Sequence, residues 1–204
     1  MKNTIKLAYI LFFYMLLTVK GYAELSKTDI NLAQHILNKF SAIPIQMSDF
    51  VQRSANGHLS HGTFYMLRPD KIRFVYKDTP LNVVSDGTSV LINNTMVDSW
   101  NLYPLNKTPM KILLAKHIKA SGGYLHAVLH RGKEIILVFK NNDNSNSAIY
   151  MNFNSTNYKL KRWTIIDEQS MPTTVEILNA KHDIRFDKDM FTIPYQSIAM
   201  KRKR

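Results

Sequence analysis

The sequence predicts a mainly β domain with helices, an incomplete antiparallel β-barrel of about eleven strands covered by a helical lid. Three features carry that reading. From Ile45 onward the chain runs in short segments rich in Val, Ile, Tyr and Phe, with apolar residues at alternate positions. Turn-forming sequences such as Asn56-Gly57, Arg68-Pro69-Asp70, Asp78-Thr79-Pro80 and Asp86-Gly87 separate these segments. Only two stretches have helical spacing, and strand and helix do not alternate in the rhythm a parallel sheet needs.

Taken in order, the first element is a helix capped by Ser26, with Asp29 three residues on. Its apolar stripe is Ile30, Ala33, Ile36 or Leu37, and Phe40, and Pro44 stops it. Strands are expected near 46–53, 59–67, 72–77, 81–85, 89–93 and 97–103. Thr108 as cap and Pro109 at the first helical position open a second helix, with Met110, Ile112, Leu113, Leu114 and Ile118 as its apolar residues. Strands resume near 124–130, 134–140, 148–153, 159–166 and 173–178, and a last short one is expected at Phe191-Thr192-Ile193.

Residues 1–23 read as a signal peptide. Lys2 and Lys6 flank the start of an apolar run from Leu7 to Leu17, too short to cross a bilayer with ease, and Gly21-Tyr22-Ala23 supplies the small residues of a cleavage site. An uncleaved N-terminal anchor is the alternative. Residues 24–204 then make one exported domain. With no cysteine, the chain can form neither a disulfide framework nor a thiolate metal site, and it cannot be lipidated on an N-terminal cysteine. The net charge of +12 suits anionic lipid headgroups, acidic proteins or nucleic acid, and export argues against nucleic acid. Part of that charge sits in a basic C-terminal tail, about residues 198–204, read as solvated, with membrane-surface contact as the alternative.

Enzyme signatures are missing: the sequence has no H-E-x-x-H, no G-x-S-x-G and no glycine-rich phosphate loop. Neither catalysis nor a cofactor is therefore expected. His58 with His61, and His126 with His130, could each share a face, but no third ligand stands at a suggestive spacing, so no metal is expected.

The informative stretch runs from Gly62 to Tyr76. Alternation places Phe64 and Met66 on one face with Arg68, and Ile72, Phe74 and Tyr76 on one face of the next strand. If that face is concave, an arginine stands at the rim of an apolar surface. The residue types leave two questions open: Arg68 could be a solvated hairpin residue, and the aromatic and methionine positions could be permanent core.

The pattern G-x-F-x-x-x-R-P-x-x-x-R-F-x-Y from Gly62 is followed by Val84-Ser85-Asp86-Gly87 and by Tyr103-Pro104-Leu105 with Thr108-Pro109. Arg162-Trp163-Thr164 with Asp167-Glu168-Gln169 and a final Phe191-Thr192-Ile193 complete the series. This ordered set resembles the LolA family of periplasmic outer-membrane lipoprotein carriers. The resemblance implies a periplasmic, monomeric carrier that takes the acyl chains of lipoproteins into an apolar cavity. It would be loaded by an inner-membrane ABC-type lipoprotein-releasing complex and would deliver to an outer-membrane acceptor. It also implies Phe64, Met66, Ile72, Phe74, Tyr76 and Val83 as cavity lining, and Arg68 as the residue that holds the lid shut. Ser170 departs from the pattern, since relatives often carry glycine there. Rival expectations are a binding protein for another amphiphile such as a glycolipid, a sensor of mislocalised lipoprotein, and a secreted hydrolase without a recognisable motif.

Overall fold

The computed structural model describes residues 25–121, 123–140, 146–187 and 189–201. The expected signal peptide, most of the polar loop near 141–147 and the last three residues of the basic tail lie outside them.

Helix α1 (Lys27–Ser41) begins at the expected cap: the Ser26 hydroxyl accepts the Asp29 N–H at 3.0 Å. Six strands follow: β1 (Ile45–Arg53), β2 (Leu59–Leu67), β3 (Lys71–Tyr76), β4 (Leu81–Asp86), β5 (Ser89–Asn94) and β6 (Ser99–Pro104). A 3-10 turn (Leu105–Lys107) and helix α2 (Met110–Leu114) lead to β7 (Leu125–Arg131), β8 (Glu134–Lys140), β9 (Ala148–Asn154), β10 (Leu160–Ile166) and β11 (Pro172–Lys181). All eleven strands belong to one antiparallel sheet in the order β6-β5-β4-β3-β2-β1-β11-β10-β9-β8-β7.

The sheet is two meanders joined where β1 pairs with β11, Phe50 opposite Ile177 and Gln52 opposite Val175. That pairing leaves β6 and β7 at the two edges, so the barrel stays open. Register shifts occur between Met47 and Asp49, within this seam, and between Leu160 and Arg162, where β10 pairs with β9; at each an extra residue bends a strand and increases its twist.

The inner face carries the main core. Phe50, Phe64, Ile72, Phe74, Met151, Phe153 and Trp163 pack there against Ala33, Ile36, Leu37 and Phe40 of α1 and Leu113 and Leu114 of α2. Gln34 ties α1 to the segment after α2: its amide donates to the Ile118 carbonyl (3.0 Å) and accepts from the Ala120 N–H (2.8 Å). The two helices and residues 115–120 thus form one cover.

The structure corrects three sequence expectations. Helix α2 ends at Leu114 instead of reaching Ile118. Its expected cap does not form either: the Thr108 hydroxyl donates back to the Leu105 carbonyl at 2.9 Å, and Ala115 turns extended. Phe191-Thr192-Ile193 is not a strand. Both apolar residues instead anchor a C-terminal strap on the outer face, where they join Val84, Leu91 and Ile198 in a second, smaller core. The strap ends in a short helix α3 (Tyr195–Lys201), a stretch whose second half the sequence places in the solvated tail. Polar contacts fasten it: the Arg73 guanidinium donates to the Met190 carbonyl (3.0 Å), the Tyr195 hydroxyl to Asp86 (2.8 Å), and Lys201 pairs with Asp98.

Candidate functional site

The motif from Gly62 to Tyr76 is a hairpin with one role per face. Phe64 pairs with Phe74, and Gly62 with Tyr76, across β2 and β3. Gly62 also faces Phe50 across β1 and β2. A Cβ at position 62 would run into the Val75 carbonyl and lie 2.8 Å from the Phe50 ring, so only glycine lets that ring and the neighbouring strand approach this closely. Phe50 then meets Phe74 and Tyr76 edge to face, each at 5.2 Å between centroids.

Of the expected lining residues, Phe64, Met66, Ile72, Phe74 and Val83 are buried on the inner face, and Tyr76 is half-buried beside them. Phe64, Met66 and Ile72 border the residual space between sheet and cover, together with Phe40, Leu113, Leu160, Trp163, Ile177 and the polar Gln46. Phe74, Tyr76 and Val83 stand outside that boundary. Phe74 packs in the aromatic cluster with Phe50, Phe64 and Trp163, while the Tyr76 hydroxyl donates to Gln52 at 2.8 Å and burial pushes its pKa up.

The space itself holds only about 10 Å³, room for a single water. An acyl chain of a dozen or more methylenes, each about as large as a water, needs many times that room. The chamber is therefore closed, and filling it requires the cover to move.

Arg68 sits where the cover is fastened. It lies at the end of β2, only 7% exposed. Its Nε donates to the Ile43 carbonyl just past α1 (3.1 Å), and its Nη1 donates to the Leu113 and Ala115 carbonyls at the end of α2 (2.6 and 3.1 Å). The guanidinium lies 4.3 Å over the Phe40 ring. No carboxylate bonds to it among the described residues, and Nη2 has no partner. Burial consequently pushes the Arg68 pKa down to about 10, with the nearby Asp70 charge opposing only in part. Asp70 adds a second tie: its N–H donates to the Leu114 carbonyl (3.0 Å), and its carboxylate holds Lys111 at 2.6 Å.

The Arg162-Trp163-Thr164 motif also divides by face. Trp163 points inward, 5.6 Å from Phe64. Arg162 forms a two-pronged ion pair with Glu134 (3.1 and 2.5 Å), to which Lys161 (2.9 Å) and Asn152 (2.9 Å) also donate. In the turn that follows, Ser170 holds φ 62, the conformation that suits glycine. The sequence pattern marked Trp163 but did not assign it to the lining, and it passed over Phe40, Gln46, Leu113, Leu160 and Ile177. Alternation could have flagged Ile177 and Trp163 for an inner face, but only the β1–β11 pairing brings them to Phe64.

Elsewhere, His61 rests on Asp78 at 2.9 Å and His130 lies 3.9 Å from Asp29. Among the described residues no group of three metal-ligating side chains occurs, and no helix is long and apolar enough to cross a membrane.

An open antiparallel half-barrel with an apolar chamber under a fastened helical cover defines the structural class. The family model of the outer membrane lipoprotein carrier protein LolA matches residues 45–194, and the chain belongs to that family. No curated protein matches in sequence. Among solved structures, a DUF1329 family protein from Desulfovibrio piger is similar, with TM-score 0.52 and 8% identity, over 81% of this chain and 96% of that one. A LolA superfamily protein from Nitrosomonas europaea aligns with TM-score 0.45 and 12% identity, over 80% of this chain and 98% of that one. The MucA/MucB complex of Pseudomonas aeruginosa aligns with TM-score 0.47 and 12% identity, over 83% of this chain, which spans 62% of that chain's length.

Proposed function

We propose that this chain is a periplasmic carrier that takes the acyl chains of lipoproteins between its sheet and its helical cover and moves them from the inner to the outer membrane. An ABC-type complex would load it and an outer-membrane acceptor would relieve it. The observation that carries this reading is the fastening of the cover. Three hydrogen bonds from Arg68 reach backbone carbonyls at the ends of both cover helices, and what lies between cover and sheet is almost wholly apolar. Such a contact can be given up and remade without disturbing the sheet.

The energetics demand such a device. Moving a 16-carbon chain out of a bilayer costs on the order of 12 kcal/mol at about 0.8 kcal/mol per methylene. A carrier must offset most of that and still let go. A cover that competes with cargo for the same apolar surface does both, since closing it favours release. Phe64, Met66 and Ile72 would touch the chain first, with Phe74, Tyr76 and Val83 exposed to it as the chamber widens, and Arg68 would act as the gate.

A photoreactive residue placed at Met66 in cells tests the idea. Crosslinks to lipoproteins are the expected product; a chain that crosslinks to none of them while remaining folded would remove the carrier reading.

A further inference from the structure

A groove of about 280 Å³ opens beside the chamber, between the C-terminal half of α1, the start of β1 and the adjoining ends of β10 and β11. Its floor and the chamber wall share Phe40, Gln46, Leu160 and Ile177, so the two spaces lie on either side of a common wall. Phe40 is the side chain the cover contributes to that partition, and it is the ring on which Arg68 rests. The rim is basic: Lys39, Lys159, Lys161 and His182 border the groove, against the single acid Glu176. Lys161 is engaged by Glu134. Lys39 lies 5.0 Å over the Tyr158 ring, and neither it nor Lys159 forms an ion pair among the described residues.

We infer that this groove is the mouth of the chamber and that Lys39 and Lys159 seat the phosphate of a glycerophospholipid whose acyl chains pass Phe40 into the interior. The inference rests on the reading that the chamber accepts acyl chains, and it adds a ligand class. The diacylglyceryl anchor of a lipoprotein bears no phosphate, so that cargo gives the two unpaired ammonium groups nothing to bind. A phosphate monoester or diester offers several oxygens to two such donors, one carried by α1 and one by the residue just before β10. Charge at the rim and apolar surface beneath it match an amphiphile whose head stays wet while its chains do not.

The test uses the full chain and three soluble probes: dioctanoyl phosphatidic acid, dioctanoylglycerol and glycerol 3-phosphate, with affinities read by calorimetry. Phosphatidic acid should bind about tenfold more tightly than dioctanoylglycerol, as two rim cations near a headgroup allow. Raising the salt, or introducing K39E with K159E, should erase that advantage while dioctanoylglycerol binding stays unchanged. Should the double variant melt early, K39Q and K159Q singly must each reduce the advantage. Equal affinity for the two lipids in the unmodified chain, or an advantage that survives the substitutions, overturns the headgroup seat and leaves the carrier reading intact. Glycerol 3-phosphate binding as tightly as the lipid would also overturn it, by showing an anion site without a channel. If neither lipid binds, the carrier reading falls along with the inference.

Discussion

Replacing Arg68 by leucine separates the fastening of the cover from the folding of the sheet. Three bonds from the guanidinium to carbonyls, at about 1.5 kcal/mol each for a charged donor, favour the closed cover by roughly 4 to 5 kcal/mol. Against this stands the cost of keeping the cation out of water. A pKa pushed down to about 10 from an ordinary value near 12.5 corresponds to about 3 kcal/mol. The sign follows from proton linkage. The folded chain holds this proton less tightly than the unfolded chain, so the cost is paid in full at neutral pH and eases only as pH rises above about 10. The net fastening is therefore about 1 to 2 kcal/mol. R68L removes both terms and adds an apolar side chain that a lodged acyl chain can touch. Global stability should change by no more than about 1 to 2 kcal/mol in urea melts, while a fluorescent fatty-acyl probe should dissociate roughly five- to thirtyfold more slowly in stopped flow. Dissociation that is unchanged or faster, in a variant with an unaltered melt, would refute the idea that Arg68 sets the balance between closed and loaded states.

Three further outcomes follow from single residues. Gly62→Ala should destabilise the fold by about 2 kcal/mol or more, because the blocking atom is the Val75 backbone carbonyl and cannot swing away; a loss under about 0.5 kcal/mol in urea would show that the strands adjust. Ser170→Gly should raise the melting temperature, relieving about 1 kcal/mol at φ 62, whereas a lower melting temperature would mean that the serine side chain contributes something the turn geometry does not reveal. Glu134 is partly desolvated, which by itself would raise its pKa. The hydrogen bonds from Asn152 and Lys161 and the charge of Arg162 outweigh that and hold it below the usual carboxylate range. Its contribution is thus present above the ordinary carboxylate pKa near 4.3 and is lost as pH falls through the lowered value. E134Q should narrow the stability gap between pH 6 and pH 3, and an unaltered gap in thermal melts would discount the cluster.

Much of the architecture was legible because its causes are local. Period-two alternation and turn chemistry located ten of the eleven strands to within about two residues at each end; β11 is the exception, running on to Lys181 where the expected strand stops at 178. The sixth strand, expected from 97, begins at Ser99, because the Asn94 carboxamide holds the Met96 and Val97 N–H groups in the turn. Ser26 capped α1 as expected, since a cap is a contact three residues long. The motif also put Phe64, Met66 and Arg68 on a common face, because side-chain direction along a strand follows from counting alone.

Whatever depended on residues far apart in sequence had to await the fold. No local signal says that β1 pairs with β11, yet that pairing brings Trp163 and Ile177 to Phe64 and so shapes the chamber. Phe191 and Ile193 look the same in sequence whether they join a sheet or strap its outer face, because apolarity states that a residue is buried and not against what. Arg68 likewise could have pointed to solvent. Its burial among the carbonyls of Ile43, Leu113 and Ala115 depends on where two helices come to rest, and that position is the balance of packing and desolvation over the whole inner face.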